Sequence, residues 1–281
     1  LSSTPAWAGA WTLPRNRWYT EYFYRYFGSK KEFDAKGHSG RRAKTARFSD
    51  IRNDVKFEYG LANAVTLLAS FPYQSSHYRD DNTDLLTTGM GDIFLRSKLR
   101  ATVNPVVTSL QFSWKIPGGY DVNESPALGD GQCDVESRLQ VSRSFTFWPY
   151  VADRSPTEAP AETRYAGVAF LNFEAGFTAR NRGPANEVPL VLEAGLTPMK
   201  RLMLAASVEN VTSIKTTHEQ EEDFSKWGVR AILNLRGDGF ASVLREHIGT
   251  TVNVELGYNE IFAGRNTADA FEIFAKCGLS F

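Results

Sequence analysis

Two groups of residues in this 281-residue chain have types and spacings that could do chemistry. The first is Ser75-Ser76-His77 with Asp80, Asp81 and Asp84 just beyond. Serine, histidine and aspartate are the parts of a nucleophile, a general base and the group that orients the base. On an extended chain neighbours point to opposite faces, so Ser76 is badly placed for His77, whereas Ser75 shares its face. A histidine among polar loop residues is far more often solvated than catalytic, so a hydrolase is the lesser expectation here. The second group is a set of charged residues at alternate positions, of which Arg96, Lys98 and Arg100 are the plainest run. Cations two residues apart on a strand share one face, where they could line a passage and select solutes by charge.

Such a face must be carried by strands, and the chain supplies them. Residues 271 to 281 place Phe271, Ile273, Ala275, Cys277, Leu279 and Phe281 on one side. Glu272, Lys276, Gly278 and Ser280 fall on the other, with Phe274 the apolar exception. Strands of the same kind recur. Val55, Phe57, Tyr59 and Leu61 alternate with Lys56, Glu58 and Gly60. Leu110, Phe112, Trp114 and Ile116 alternate with Gln111, Ser113 and Lys115. About twelve such segments follow one another, starting from the aromatic run 18 to 27. Their length suits tilted membrane strands, apolar toward lipid and polar toward a lumen. The hairpin Glu58-Tyr-Gly-Leu61 with residues 65–71 is echoed by Glu193-Ala-Gly-Leu196 with residues 202–208, as an up-and-down meander would have it.

The predicted fold is therefore all-β: a single up-and-down antiparallel transmembrane β-barrel of about twelve strands over 17–281, preceded by a short periplasmic segment, 1–16, that could plug it through Trp7 and Trp11. Residues 28–53 and 74–86 read as polar loops, 145–164 as a periplasmic connector and 237–249 as holding one helical turn. Ala6-Trp7-Ala8 has the look of an export cleavage site.

Composition agrees. Lys plus Arg equals Asp plus Glu at 32 each, which argues against a general nucleic-acid binder. Mean hydropathy is −0.34, which suits a barrel with a polar lumen and no helical span. Cys133 and Cys277 both fall on the apolar face of their strands and read as lipid-facing or packed thiols. No metal motif is present, and no cofactor is expected. A soluble sandwich or lipocalin-like barrel would not repeat large apolar residues outward on nearly every strand.

On the lumen face, Lys56, Arg96, Lys98, Arg100, Lys115 and Arg138 outweigh Glu58, Asp134 and Glu136 along the first half of the chain. In the second half Glu174, Glu193, Glu209, Glu255 and Glu272 outweigh Arg180, Arg230 and Lys276. A mainly basic wall opposite a mainly acidic one would set up a transverse field across a water-filled pore, or would pair and close the lumen if the walls met.

The final strand resembles the closing strand of bacterial outer-membrane barrels, in which a terminal aromatic residue is read by the barrel-assembly machinery. The chain as a whole resembles FadL-like and phenol-degradation-associated (MetA-pathway) outer-membrane transporters. That resemblance is carried by Glu58-Tyr-Gly-Leu61, Phe71-Pro-Tyr73, Gly89-Met-Gly-Asp92 before a basic strand, Ile116-Pro-Gly-Gly119 and Glu193-Ala-Gly-Leu196. It implies a bacterial outer-membrane location and a channel for passive uptake of small, hydrophobic or aromatic solutes. The expected partners are membrane lipid and lipopolysaccharide, the assembly machinery through Phe281, a small solute, and further copies of the chain or a larger membrane complex. The alternatives are a closed scaffold barrel acting through its loops or partner subunits and, less favoured, an outer-membrane hydrolase.

Overall fold

The computed structural model describes residues 9–41, 45–147, 167–181, 185–199, 201–214, 222–235 and 251–281. Fourteen strand segments occur there. They are β1 (Trp18–Phe33), β2 (Ser39–Arg41), β3 (Arg47–Ala62), β4 (Val65–Arg79), β5 (Asp84–Met90), β6 (Ile93–Thr102) and β7 (Val107–Ile116). β8 (Asp134–Phe147), β9 (Gly167–Arg180), β10 (Asn186–Met199), β11 (Leu202–Ile214), β12 (Asp223–Leu235), β13 (Thr251–Arg265) and β14 (Thr267–Ser280) complete the set. Each long strand pairs antiparallel with its neighbours in sequence, and β14 returns to β1 with Tyr19 opposite Ser280 and Phe33 opposite Thr267. That seam closes the sheet, so its polar backbone groups find partners around the whole ring. Trp18 and Phe281 finish the seam by exchanging backbone hydrogen bonds of 2.8 and 3.0 Å.

The barrel has twelve staves, as the alternation predicts. The other two segments are accounted for locally. β2 is a three-residue extension on β1. β5 and β6 share one stave, since β5 pairs with the far half of β4 and β6 with its near half. The break between them falls opposite Pro72, which has no N–H to carry the ladder through.

Two expected loops are largely strand. β1 runs on to Phe33 and β3 begins at Arg47, which takes both ends of the 28–53 loop, and β2 takes 39–41 from its middle. β4 runs on to Arg79 and β5 begins at Asp84, which reduces the 74–86 loop to a four-residue turn. Of the expected connector at 145–164, residues 145–147 belong to β8; its residues from 148 on, the helical turn at 237–249, and Trp7 lie outside the described residues.

The outer surface inverts the usual globular arrangement. Phe57, Leu67, Phe71, Leu95, Leu110, Leu139, Leu171, Leu192 and Val229 are exposed, while Asp54, Ser70, Asn172, Glu193 and Glu255 are buried. Cys133 and Cys277 are both exposed, free thiols on the outward face. Trp18 lies against Tyr59 at 4.5 Å between ring centroids, at the end that carries both termini, where an aromatic girdle meets a bilayer interface.

Candidate functional site: the charged lumen and its crossbar

Alternation alone directs fourteen residues inward as the predicted lining, and none of Lys56, Glu58, Arg96, Lys98, Arg100, Lys115, Asp134, Glu136, Arg138, Glu174, Glu193, Glu209, Arg230 and Glu255 is exposed. Nine of them border a single lumenal cavity of about 490 Å³. Arg100, Glu193, Glu209, Arg230 and Glu255 lie elsewhere along the wall, away from that cavity.

Their charges do not stand as two opposed walls. Seven of the lumen's cations find a carboxylate on their own strand or a near one. Lys56 meets Glu21 at 3.0 Å, and Arg138 lies between Glu136 at 2.9 Å and Glu174 at 3.0 Å. Arg180 meets Glu187 at 2.7 Å, Lys226 meets Glu209 at 2.8 Å, and Lys276 meets Glu255 at 2.8 Å. Arg230 is bound to Glu193. Arg25 bridges Asp50 at 2.7 Å and Glu272 at 3.4 Å. Pairing along the wall cancels most of the transverse field that separated walls would have produced.

Several members of this network were hidden in sequence. Asp50 and Arg52 fall in the stretch read as a loop and Asp54 directly after it, yet Asp54 is almost wholly buried, accepts from Ser70 at 2.8 Å and pairs with Arg52 at 3.0 Å. Their signal was the alternate spacing of the three charges, blurred by Phe48 on their own face and Asn53 on the other. Glu187 and Lys226 sit at the starts of their strands, where apolar alternation has not yet begun.

The end of the lumen that carries both termini is crossed by the N-terminal segment. The Ala10 amide donates to Ser142 Oγ at 2.9 Å on β8, and the Leu13 amide donates to Thr66 Oγ1 at 2.8 Å on β4. Lys98 Nζ donates to the Gly9 carbonyl at 2.8 Å, and Ser109 Oγ donates to that of Ala10. Trp11 packs edge-on against the inward ring of Phe170 on β9, with centroids 6.3 Å apart. Ala10, Thr12 and Leu13 are buried. The segment thus spans from β3 and β4 to β8 and β9, tied by its own backbone. Gly9 has φ +77°, and a side chain there would collide with Asn172 and Ser142. Gly60 lets the Pro14 carbonyl approach the wall.

The opposite rim is held by Lys115. Its Nζ lies 2.5 Å from Asp134, 2.6 Å from Asp130 and 3.8 Å from Asp92. Tyr120 donates to Asp92 at 2.5 Å and accepts from the Gly131 amide at 2.9 Å, so residues 117–133 fold back onto the barrel.

The Ser75–His77–Asp arrangement is not assembled. His77 Nε2 pairs with Asp84 Oδ1 at 2.6 Å, but Ser75 Oγ is 3.0 Å from Thr88 Oγ1, and Ser76 points inward and donates to Asp50 at 2.8 Å.

No protein-family model matches the chain, and no curated protein matches it in sequence. Solved structures do match in fold. The COG4313 outer membrane channel of Pseudomonas putida superposes with a TM-score of 0.69 at 12% identity, over 97% of this chain and 98% of that one. The transport unit of the autotransporter AIDA-I of Escherichia coli has a TM-score of 0.46 at 7% identity, covering 94% and 89%. The translocator domain of the autotransporter NalP of Neisseria meningitidis has 0.42 at 10%, covering 96% and 89%. The chain has the fold of a bacterial outer-membrane channel, end to end.

Proposed function

We propose that this protein is an outer-membrane channel for the passive uptake of small solutes, whose lumen is held shut by its own N-terminal segment. The observation that carries this reading is the crossbar from Gly9 to Leu13, bonded to lumen side chains on β4, β6, β7 and β8. A segment bonded to side chains of the wall can leave without undoing a single rung of the barrel ladder. Beyond it the cavity is lined by charged and polar groups, which suits passage of water and polar solute groups.

The test is single-channel conductance in a planar bilayer, for the full chain and for a variant lacking residues 1–16. Silence in the full chain with stable conductance steps after deletion supports the plugged channel. Steps of equal size in both would make it an open pore with an idle N-terminus. A closed scaffold barrel is the second reading, favoured by the ion pairs that line the wall, and silence in both proteins would select it.

A further inference from the structure

We propose that Arg96 is a carboxylate-binding subsite in the lumen, and that the solute it takes is a small organic monoanion with an apolar body. This rests on the channel reading above and adds the chemical class of the solute.

The cations around the cavity differ in one respect. Lys56, Lys115, Arg138, Arg180 and Lys276 each have a carboxylate within 3.0 Å. Lys98 is committed to the Gly9 carbonyl. Arg96 borders the same cavity, and among the described residues no carboxylate pairs with it and no oxygen accepts from it. Glu136 and Asp54, the carboxylates whose fields reach it, are already bound by Arg138 at 2.9 Å and Arg52 at 3.0 Å. Its charge is therefore left uncancelled by the wall. A guanidinium presents five N–H donors in a fork that matches a carboxylate with two parallel bonds. With no acceptor among the described residues, that fork is available to water or to a solute.

The surface beside it is apolar, which is unusual for this lumen. The Arg96 guanidinium lies 4.9 Å from the centroid of the inward Phe94 ring, and Leu68 is its register partner on β4. Both border the cavity. A solute whose carboxylate meets Arg96 has Phe94 and Leu68 for the rest of its body. The cavity's volume is that of pockets that take ligands of this size. Glu58, one strand further round, limits the choice. Its register partner is Leu68, and Lys98 and Lys56, bonded to Gly9 and Glu21, are the cations whose fields reach it. A second negative charge on the solute would face that carboxylate, and an ammonium would compete with the two lysines, which leaves the monoanion as the best fit.

The experiment is isothermal titration calorimetry on the refolded full chain in detergent micelles. The probes are benzoate, benzyl alcohol, terephthalate and phenylalanine. Benzoate should bind about tenfold or more tightly than benzyl alcohol, and tighter than the dianion or the zwitterion. Arg96→Gln should lower benzoate affinity about tenfold or more and abolish the preference over benzyl alcohol, whereas Arg96→Lys, which keeps the charge without the fork, should fall between. Heat-modifiable gel migration verifies that each variant is folded. Equal binding of benzoate and benzyl alcohol, unchanged benzoate affinity in Arg96→Gln, or tighter binding of terephthalate or phenylalanine would overturn the assignment. Conductance without benzoate binding removes this inference and leaves the channel. Benzoate binding in a barrel that never conducts removes the channel and leaves the site.

Discussion

A side chain at residue 9 has nowhere to go. Gly9 sits at φ +77°, where L-residues other than glycine are strained, and its missing Cβ would fall on Asn172 and Ser142. Gly9→Val should therefore displace the crossbar while leaving every backbone rung of the barrel in place. The expected outcome is conductance approaching that of the 1–16 deletion, with an unfolding free energy in urea lowered by no more than the ~0.5–1.5 kcal/mol of each lost side-chain bond. A second residue-scale effect belongs to Asp80, in the turn between β4 and β5. The Asn82 amide at 2.8 Å and the Tyr78 hydroxyl at 3.0 Å hold its carboxyl below the usual carboxylate range. A lowered folded-state pKa stabilises above the unfolded value and is lost as pH falls through the folded one. Asp80→Ala should thus lower the thermal midpoint slightly at neutral pH. The gap to wild type should begin to close below pH ~4, the ordinary carboxyl range. A gap that widens on acidification would contradict this sign.

At the scale of single elements, the strands were legible where lipid demanded it and illegible where it did not. β9 reads cleanly because Leu171, Phe173 and Phe177 must face outward while Asn172 and Glu174 face in. The start of β3, from Arg47 to Asp54, and the end of β4, from Gln74 to Arg79, are mixed on both faces, so period-two alternation gave no strand there. The stave shared by β5 and β6 was half visible for another reason, since its interruption is set by Pro72 on the partner strand. The anchoring of the segment 117–133 was not legible because its partners are spread along the chain. Lys115, at the end of β7, gathers Asp130 from within the segment, Asp134 from the start of β8 and Asp92 from before β6. Lys115→Met should leave three carboxylates facing one another without their cation, and so free this segment. Limited proteolysis should then cut within 117–133 about tenfold faster than in wild type while the barrel core stays intact. Unchanged cleavage would mean that Tyr120 and its two hydrogen bonds hold the segment unaided.

At the scale of the whole molecule, the face on which each residue lies could be read from sequence, and the partner it meets there could not. Parity put Arg138, Glu174 and Glu193 on the lumen side, but a two-wall field follows from counting charges by half-chain, without the register. Register is what brings Arg138 beside Glu174, because Gln140 lies opposite Glu174 and Arg138 opposite Gly176, which offers no side chain of its own. The same inversion of faces fixes how the barrel tolerates charge. Leu139, at the middle of β8, is 48% exposed on the outer wall, and Ile116, the last residue of β7, is 40% exposed at its edge. If the outer wall meets hydrocarbon, the two sites differ in depth although they look alike in exposure. Leu139→Arg should cost about 2–4 kcal/mol in reversible urea unfolding from lipid bilayers, and Ile116→Arg about 0–1 kcal/mol. In a water-soluble barrel both changes would be near neutral, since an arginine on a solvated surface loses nothing to desolvation. A clear difference between the two variants therefore reports the bilayer directly, independently of whether the lumen ever opens.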